Sequence, residues 1–527
     1  MWDASPPRAI SVIRRYGTFV VAFLVICAFD VLDPSISAPV ALPAVHGRVG
    51  PLPVFQSAGV TVGGVPCGPG IRQVPWSAYA PYCTPAWHGS NGGATAPGVT
   101  GKTITITYRQ ASSAETAGFY LLVPQAVFGT NSQAEAMLQA YVAEFNKTFE
   151  LYGRQVVLQP FSGSGDFISE VNGQNVPQTQ ADAAAAHSLG AFADLSLVGA
   201  TPQYDLALAQ QHILSFTPFS VSSTELAANA PYEYSIVADC TKVAAADAEI
   251  VGRSLSRTPV SFAADPKLDG RARKFGVILQ ESPDAVTCGQ ELKADLAAQG
   301  VTLAQSVELS FDPSTVLQQI GNAVGQLKAA GVTSVLCAAC DFVSPILVTR
   351  QAQTENYGPE WITTDYNDAF ARLPTQSEWE HAIATGTPSL APDRTEAYQV
   401  FKMADPQGQV ISSFQFIYSS LLMLFRALQQ AGPDLTAQSF QTGFRSLPPS
   451  LPTLNGSPAM FGSWQLSGTS YDPQADFELL WWSPTTPSLL DGQPGSWQPC
   501  NSGSHYSFSP DGAEVPVGAA LQCGPPP

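Results

Sequence analysis

Lys274-Phe-Gly-Val-Ile-Leu279, Val332-Thr-Ser-Val-Leu-Cys337 and Trp361-Ile-Thr-Thr364 are three short apolar runs inside one stretch, Lys274 to Asp368, and the segments between them decide the fold. Thr287-Cys-Gly-Gln290 reads as a capping box opening a helix, with Leu292 and Leu296 on one face and a stop at Gly300. Val301 to Leu309 reads as a strand. Asp312-Pro313 starts a second helix whose Val316, Leu317, Ile320, Val324 and Leu327 form one stripe ending at Gly331. A third helix covers about Val343 to Glu355. Strand and helix alternating at this spacing imply right-handed crossovers and a parallel, doubly wound α/β sheet. Such sheets bind ligands beyond the carboxyl ends of their strands.

The same rhythm occurs once before. Thr103–Tyr108, Arg154–Gln159, Asp194–Val198 and Ile213–Phe216 read as strands. Ala134–Leu151, Gln178–Leu189 and Gln203–Gln211 read as the helices between them. After Asp368 come a strand at His381–Thr385, a long helix at Gln409–Gln430 and a late strand at Phe477–Trp482. Two tandem arrays, about 100–220 and 240–365, therefore predict two α/β lobes.

Composition narrows the function classes. The chain has 527 residues, 45% of them hydrophobic and 13% charged, enough for two cores. A net charge of −18 argues against nucleic acid or anionic membrane surfaces as partners. Arg8, Arg14 and Arg15 precede an apolar run, Tyr16 to Phe29, too short for a span but suited to a signal-peptide core. Cleavage near Ser35-Ile-Ser37 and retention as a membrane anchor are both open. Cys27 does not make a lipobox, because Ile26 stands where a small residue is needed.

The eight cysteines beyond Cys27 favour disulfides in an exported chain. Local pairing suggests Cys67–Cys83 and Cys500–Cys523; the pairing of Cys240, Cys288, Cys337 and Cys340 stays open. Cys337-Ala-Ala-Cys340 ends a strand, unlike a thioredoxin-type site, and has no second ligand pair for zinc. The six histidines are scattered, Gly163-Ser164-Gly165 is not a nucleophile elbow, and no Walker-type loop is present. These absences argue against an enzyme, a cofactor or a metal site.

Several passages carry a resemblance. Gly98-Val-Thr-Gly-Lys-Thr-Ile-Thr-Ile106, the passage Tyr141 to Gln159 with Phe145-Asn146 and Tyr152-Gly153-Arg154, Ile213-Leu-Ser-Phe-Thr-Pro218, Tyr232-Glu-Tyr-Ser-Ile236, Tyr418-Ser-Ser-Leu-Leu-Met423 and Phe461-Gly462 occur in the order found in type I periplasmic binding proteins. The chain resembles in particular the branched-chain amino acid (Leu/Ile/Val) binding proteins of ABC importers, over about 98–485. The resemblance implies two doubly wound parallel-sheet lobes joined by a multi-strand hinge. Lobe I would span 98–238 with 388–460 returning to it, and lobe II 239–387 with 461–485 returning. The flanks would be a signal peptide or anchor (1–32), a Pro/Gly-rich linker with a disulfide loop (33–97) and a Pro/Ser/Gly-rich tail with another (486–527).

It also implies a small ligand, an amino acid or related compound, handed to an ABC permease at the outer face of the cell membrane. Thr201, Ser220 and Ser222 would hold a carboxylate. Asp365, then Asp341, would take an ammonium, and Phe219, Phe342 and Tyr366 would line the apolar part. The chain departs from the family in having one hydroxyl in Gly199-Ala-Thr201 and Val221 after Thr217-Pro218, which opens the ligand to other classes. The competing function is an envelope-anchored sensing or adhesion module of the same fold.

Overall fold

The computed structural model describes residues 58–110, 129–196, 199–310, 312, 314–339, 343–364, 367–411, 413–455, 457–466, 469–508 and 515–524. The expected signal or anchor at 1–32 lies outside them. Lobe I is built on strands β1 (Thr103–Gln110), β2 (Gln155–Ser162), β3 (Ala193–Asp194), β4 (Leu214–Thr217) and β5 (Glu233–Ser235). They run parallel in the order β2-β1-β3-β4-β5, the strand order of a doubly wound sheet. The crossovers are α1 (Asn131–Thr148), α2 (Phe167–Val171), α3 (Val176–Ser188), α4 (Pro202–Gln210) and α5 (Ser223–Ala228).

Lobe II begins with α6 (Cys240–Arg253) and continues through β6 (Phe275–Gln280), α7 (Pro283–Ala298), β7 (Leu303–Leu309), α8 (Val316–Ala329), β8 (Ser334–Ala339), α9 (Ser344–Thr354), β9 (Glu360–Thr364) and β10 (Ile383–Gly386). Strands β7-β6-β8-β9-β10 are parallel. The chain then returns to lobe I as α10 (Glu396–Ala404), α11 (Phe414–Ala431) and α12 (Ala437–Arg445). It ends in lobe II with β11 (Asp476–Pro487), β12 (Pro494–Pro499) and β13 (His505–Ser507), β11 running antiparallel to β10. The described chain thus crosses between lobes through residues 236–239, 387–395 and the described parts of 461–475 (461–466 and 469–475), the multi-strand hinge of a two-lobed α/β protein.

Alternation and helical stripes explain most of the packing. In α11, Phe414, Ile417, Tyr418, Leu421, Leu422 and Phe425 are buried against the face that α1 presents with Met137, Leu138, Tyr141 and Phe145. Phe145 meets Phe425 at 5.1 Å between ring centres. Lobe II buries both faces of its sheet, so its strands read as continuous apolar runs.

Four local readings need correction. Helix α7 starts at Pro283 after Ser282, one turn before the predicted Thr287–Gln290 box, because proline fixes the first helical φ and needs no N–H partner there. Helix α8 starts at Val316; the Asp312 carboxylate accepts from Ser314 N (2.8 Å) and Oγ (2.6 Å), making a turn before the helix. Leu317, expected in the α8 stripe, is 56% exposed.

The flanks are the fourth difference. Within the Pro/Gly-rich stretch, residues 72–83 form a strap in the lobe I core, with Val74, Trp76 and Tyr79 buried, the docking that the aromatics Trp76, Tyr79, Tyr82 and Trp87 point to. Tyr79 donates to Gly462 O (2.9 Å) and accepts from Phe461 N (2.8 Å). The segment expected as a tail carries β12 and β13, and Trp497 enters the lobe II core. Disulfides join Cys67–Cys83, Cys240–Cys288 and Cys500–Cys523, and Cys337 is disulfide-bonded.

Candidate functional site

The carboxyl ends of the lobe I strands carry a buried charge cluster. Arg109, next to the end of β1, is 3% exposed and lies 3.8 Å over the ring of Tyr204. Its guanidinium donates to both oxygens of Glu170 (2.9 Å each), to Asp182 (3.0 Å) and from Nε to Gly199 O (3.1 Å). Burial disfavours the charge on Arg109, but the hydrogen bonds and charge of Glu170, with Tyr204 and Asp182, outweigh it and hold the group above the usual guanidinium range. Beneath this cluster the Asp194 carboxyl accepts from Thr107 (2.6 Å) and Tyr204 (3.2 Å), and burial raises its pKa. Burial likewise pushes Asp205 up to about 7.

Thr201 belongs to this cluster and is fully buried. It accepts from Tyr204 N (3.1 Å) as the cap of α4, and its hydroxyl proton goes to Glu170 (2.6 Å). Both hydrogen-bonding functions are taken, so capping and the orientation of Glu170 are its roles here. Ser222 is buried too, capping α5 by accepting from Glu225 N (3.1 Å). Ser220 is exposed and donates to Ala238 O (2.6 Å). Phe219 is half-buried, 6.3 Å from the Phe167 ring that opens α2.

These lobe I turns meet lobe II directly. Val221 O accepts from Cys240 N (2.9 Å), and Ser220 O lies 3.7 Å from Cys288 Sγ on α7. Ser223 N donates to Thr241 Oγ1 (3.1 Å), whose hydroxyl donates to Glu291 (2.8 Å). Gly173, just beyond α2, has φ +71°, and a Cβ there would stand 2.8 Å from Pro283. Only glycine allows both the left-handed turn and this approach. The Cys240–Cys288 disulfide therefore sits where α6 and α7 touch the 219–223 loop.

On lobe II, β6 leads through exposed Glu281 to Ser282, which is buried and caps α7 without a side-chain hydrogen bond. The expected residues Asp341, Phe342, Asp365 and Tyr366, which follow β8 and β9, lie outside the described residues, as does 111–128 after β1. Asn367 accepts from Phe370 N (3.2 Å), opening the short helix Asp368–Ala371. Asp368 is buried and accepts from Ser488 (2.6 Å) and Trp497 N (3.1 Å), pinning the C-terminal strands.

Reading the sequence missed Arg109, Glu170, Asp182 and Phe167. Arg109 carried one signal, a charge in the otherwise uncharged strand Thr103–Gln110. Its partners lie 61 and 73 positions away, beyond any local pattern. Among the described residues no group of three or more His, Cys, Asp or Glu side chains is placed to hold a metal ion.

No protein-family profile matches the sequence, and no curated protein does. Solved structures do match. An ABC transporter substrate-binding protein from Aeropyrum pernix superposes with a TM-score of 0.54 at 11% identity, over 78% of this chain and 97% of its own. The Leu-, Ile-, Val-, Thr- and Ala-binding protein of Brucella ovis, in a closed conformation, gives 0.52 at 13%, over 80% and 99%. A solute-binding protein of R. palustris in complex with 4-hydroxybenzoate gives 0.50 at 12%, over 76% and 98%. The fold is that of the type I periplasmic binding proteins.

Proposed function

We propose that this chain is an exported solute-binding protein, closing its two lobes over a small ligand for delivery to an ABC permease. The supporting observation is the seam itself: the turns beyond β4 of lobe I and the first turns of α7 in lobe II are in contact, at the strand ends where doubly wound sheets bind ligands. A hinge of three crossings suits lobe closure.

The ligand we propose has an apolar body of about aromatic size. On the described lobe I wall the hydroxyls of Thr201, Ser220 and Ser222 and the guanidinium of Arg109 are engaged within the protein, and half-buried Phe219 adds an apolar ring. Phe219, with Phe342 and Tyr366, would pack that body. Asp365 and Asp341 remain the proposed acceptors for a cationic or hydroxyl group.

A thermal-shift and calorimetric screen of the full chain tests this, using branched-chain and aromatic amino acids, hydroxybenzoates, fatty acids and sugars. At least one compound with an apolar body is expected to raise Tm. Phe219→Ala is expected to weaken it roughly 10- to 100-fold, the worth of about one buried aromatic contact surface. Binding of sugars alone, or unchanged affinity in Phe219→Ala, would overturn the ligand class; no response to any compound would overturn the solute-binding reading.

A further inference from the structure

The hinge carries a group of charges beside the ligand turns. Asp472, in the third crossing, is fully buried. One of its oxygens accepts from Lys242 Nζ (2.9 Å) and Gln474 N (3.1 Å). Among the described residues the other oxygen is buried with no hydrogen-bond partner. The side chain of Asp239, in the first crossing and 4% exposed, stands within hydrogen-bond reach of the Asp472 carboxyl. Asp239 also caps α6 by accepting from Lys242 N (2.9 Å). Lys242 in turn donates to Gln474 O (3.0 Å), and Ser235 N donates to Tyr471 O (3.0 Å). Two buried carboxyls and one partly exposed ammonium thus join the first and third crossings.

The charges do not balance with both carboxyls ionised. One proton between them satisfies the orphaned oxygen, because a protonated carboxyl donates where a carboxylate cannot. We propose that Asp472 and Asp239 share a proton across the hinge, and that its release weakens the link between the two crossings, so that lobe opening depends on pH.

Burial is the main cause that pushes Asp472 up to about 7; Lys242 opposes it and Asp239 reinforces it. A carboxyl raised in the folded state contributes fully below the ordinary carboxylate range, and its contribution is lost as pH rises through about 7. Other charged groups approach the same crossings. Arg445 of α12 lies 4.9 Å over the Tyr471 ring, and Glu291 of α7 is held by Thr241. Asp476 accepts from Ser463 N (2.7 Å) and lies 3.1 Å from His505 of β13.

The experiment is hydrogen–deuterium exchange of the ligand-free full chain, read on peptides covering 236–243 and 470–476 between pH 6 and 8.5 and corrected for intrinsic rate. Exchange in wild type is expected to rise several-fold more than the correction across this range. Asp472→Asn donates to Asp239 at every pH and is expected to give a flat profile. His505→Asn is expected to keep the wild-type rise. The proposal is overturned if Asp472→Asn retains the rise, if wild type is flat, or if His505→Asn abolishes it. No ligand is used, so the result stands apart from the success or failure of the ligand screen.

Discussion

Arg109 shows how much of lobe I depends on one side chain. It neutralises Glu170 and Asp182, which are otherwise encased at the sheet end, and Glu170 in turn orients Thr201. Arg109→Met keeps volume but leaves two carboxylates without a counter-ion, a change that costs about 3–5 kcal/mol when the pair is buried. Urea unfolding is expected to show a loss of that size. The exposed Lys147, paired with Glu144 at 3.3 Å, is the contrast, and Lys147→Ala is expected to change stability by less than about 1 kcal/mol. A loss below 1 kcal/mol in Arg109→Met would mean that the cluster relaxes to water. At this scale the sequence was least legible. Thr201 and Ser222 stand at the strand ends named in advance, yet both hydroxyls cap the helices that follow, a local pattern, while the bond from Thr201 to Glu170 spans 31 positions and is tertiary.

The N-terminal strap illustrates what an element gains from its neighbours. Residues 72–83 have almost no regular structure, but Ser77 Oγ (2.7 Å) and Ala78 N (2.8 Å) bind Glu396, which also accepts from Tyr418 (2.7 Å). Arg72 donates to Ala80 O and Pro449 O (2.7 Å each). The Cys67–Cys83 bond closes this strap over a sequence separation of 16, for which chain-entropy arguments give about 3 kcal/mol. Calorimetry of Cys67→Ala/Cys83→Ala is expected to show a loss of about 2–4 kcal/mol; no loss would mean that core contacts alone hold the strap. The β/α rhythm from Lys274 to Asp368 was legible because each strand is a compact apolar run and each helix a stripe. β3 falls at the start of the expected Asp194–Val198 run, and the aromatics of the strap pointed to its docking without giving its partners. Helix α6 was not legible, because it buries Asp247 and Glu249 on a face that reads as polar.

Across the whole molecule, buried acids give the stability a pH dependence. Burial pushes Asp205, Glu396 and Asp472 up to about 7 and Asp247 up to about 8. Each is raised above its unfolded value, so the folded state binds more protons than the unfolded chain between about pH 4 and 8. Their contribution is complete at the acid end of that window and is lost as pH rises through it. Arg426, lowered to about 9 by burial, acts in the opposite sense but only at higher pH. A net charge of −18 adds self-repulsion that also falls on acidification. The Tm at pH 5.5 is therefore expected to exceed that at pH 8.5, with each buried acid contributing roughly 2–3 kcal/mol over the interval. Asp247, which reaches Thr385 at 3.4 Å and has one oxygen without a partner among the described residues, offers the cleanest dissection. Asp247→Asn carries no charge at any pH, so its Tm should change less between the two conditions than wild type does. A Tm that is flat or falls towards pH 5.5 would mean that the buried acids do not hold their protons in the folded state.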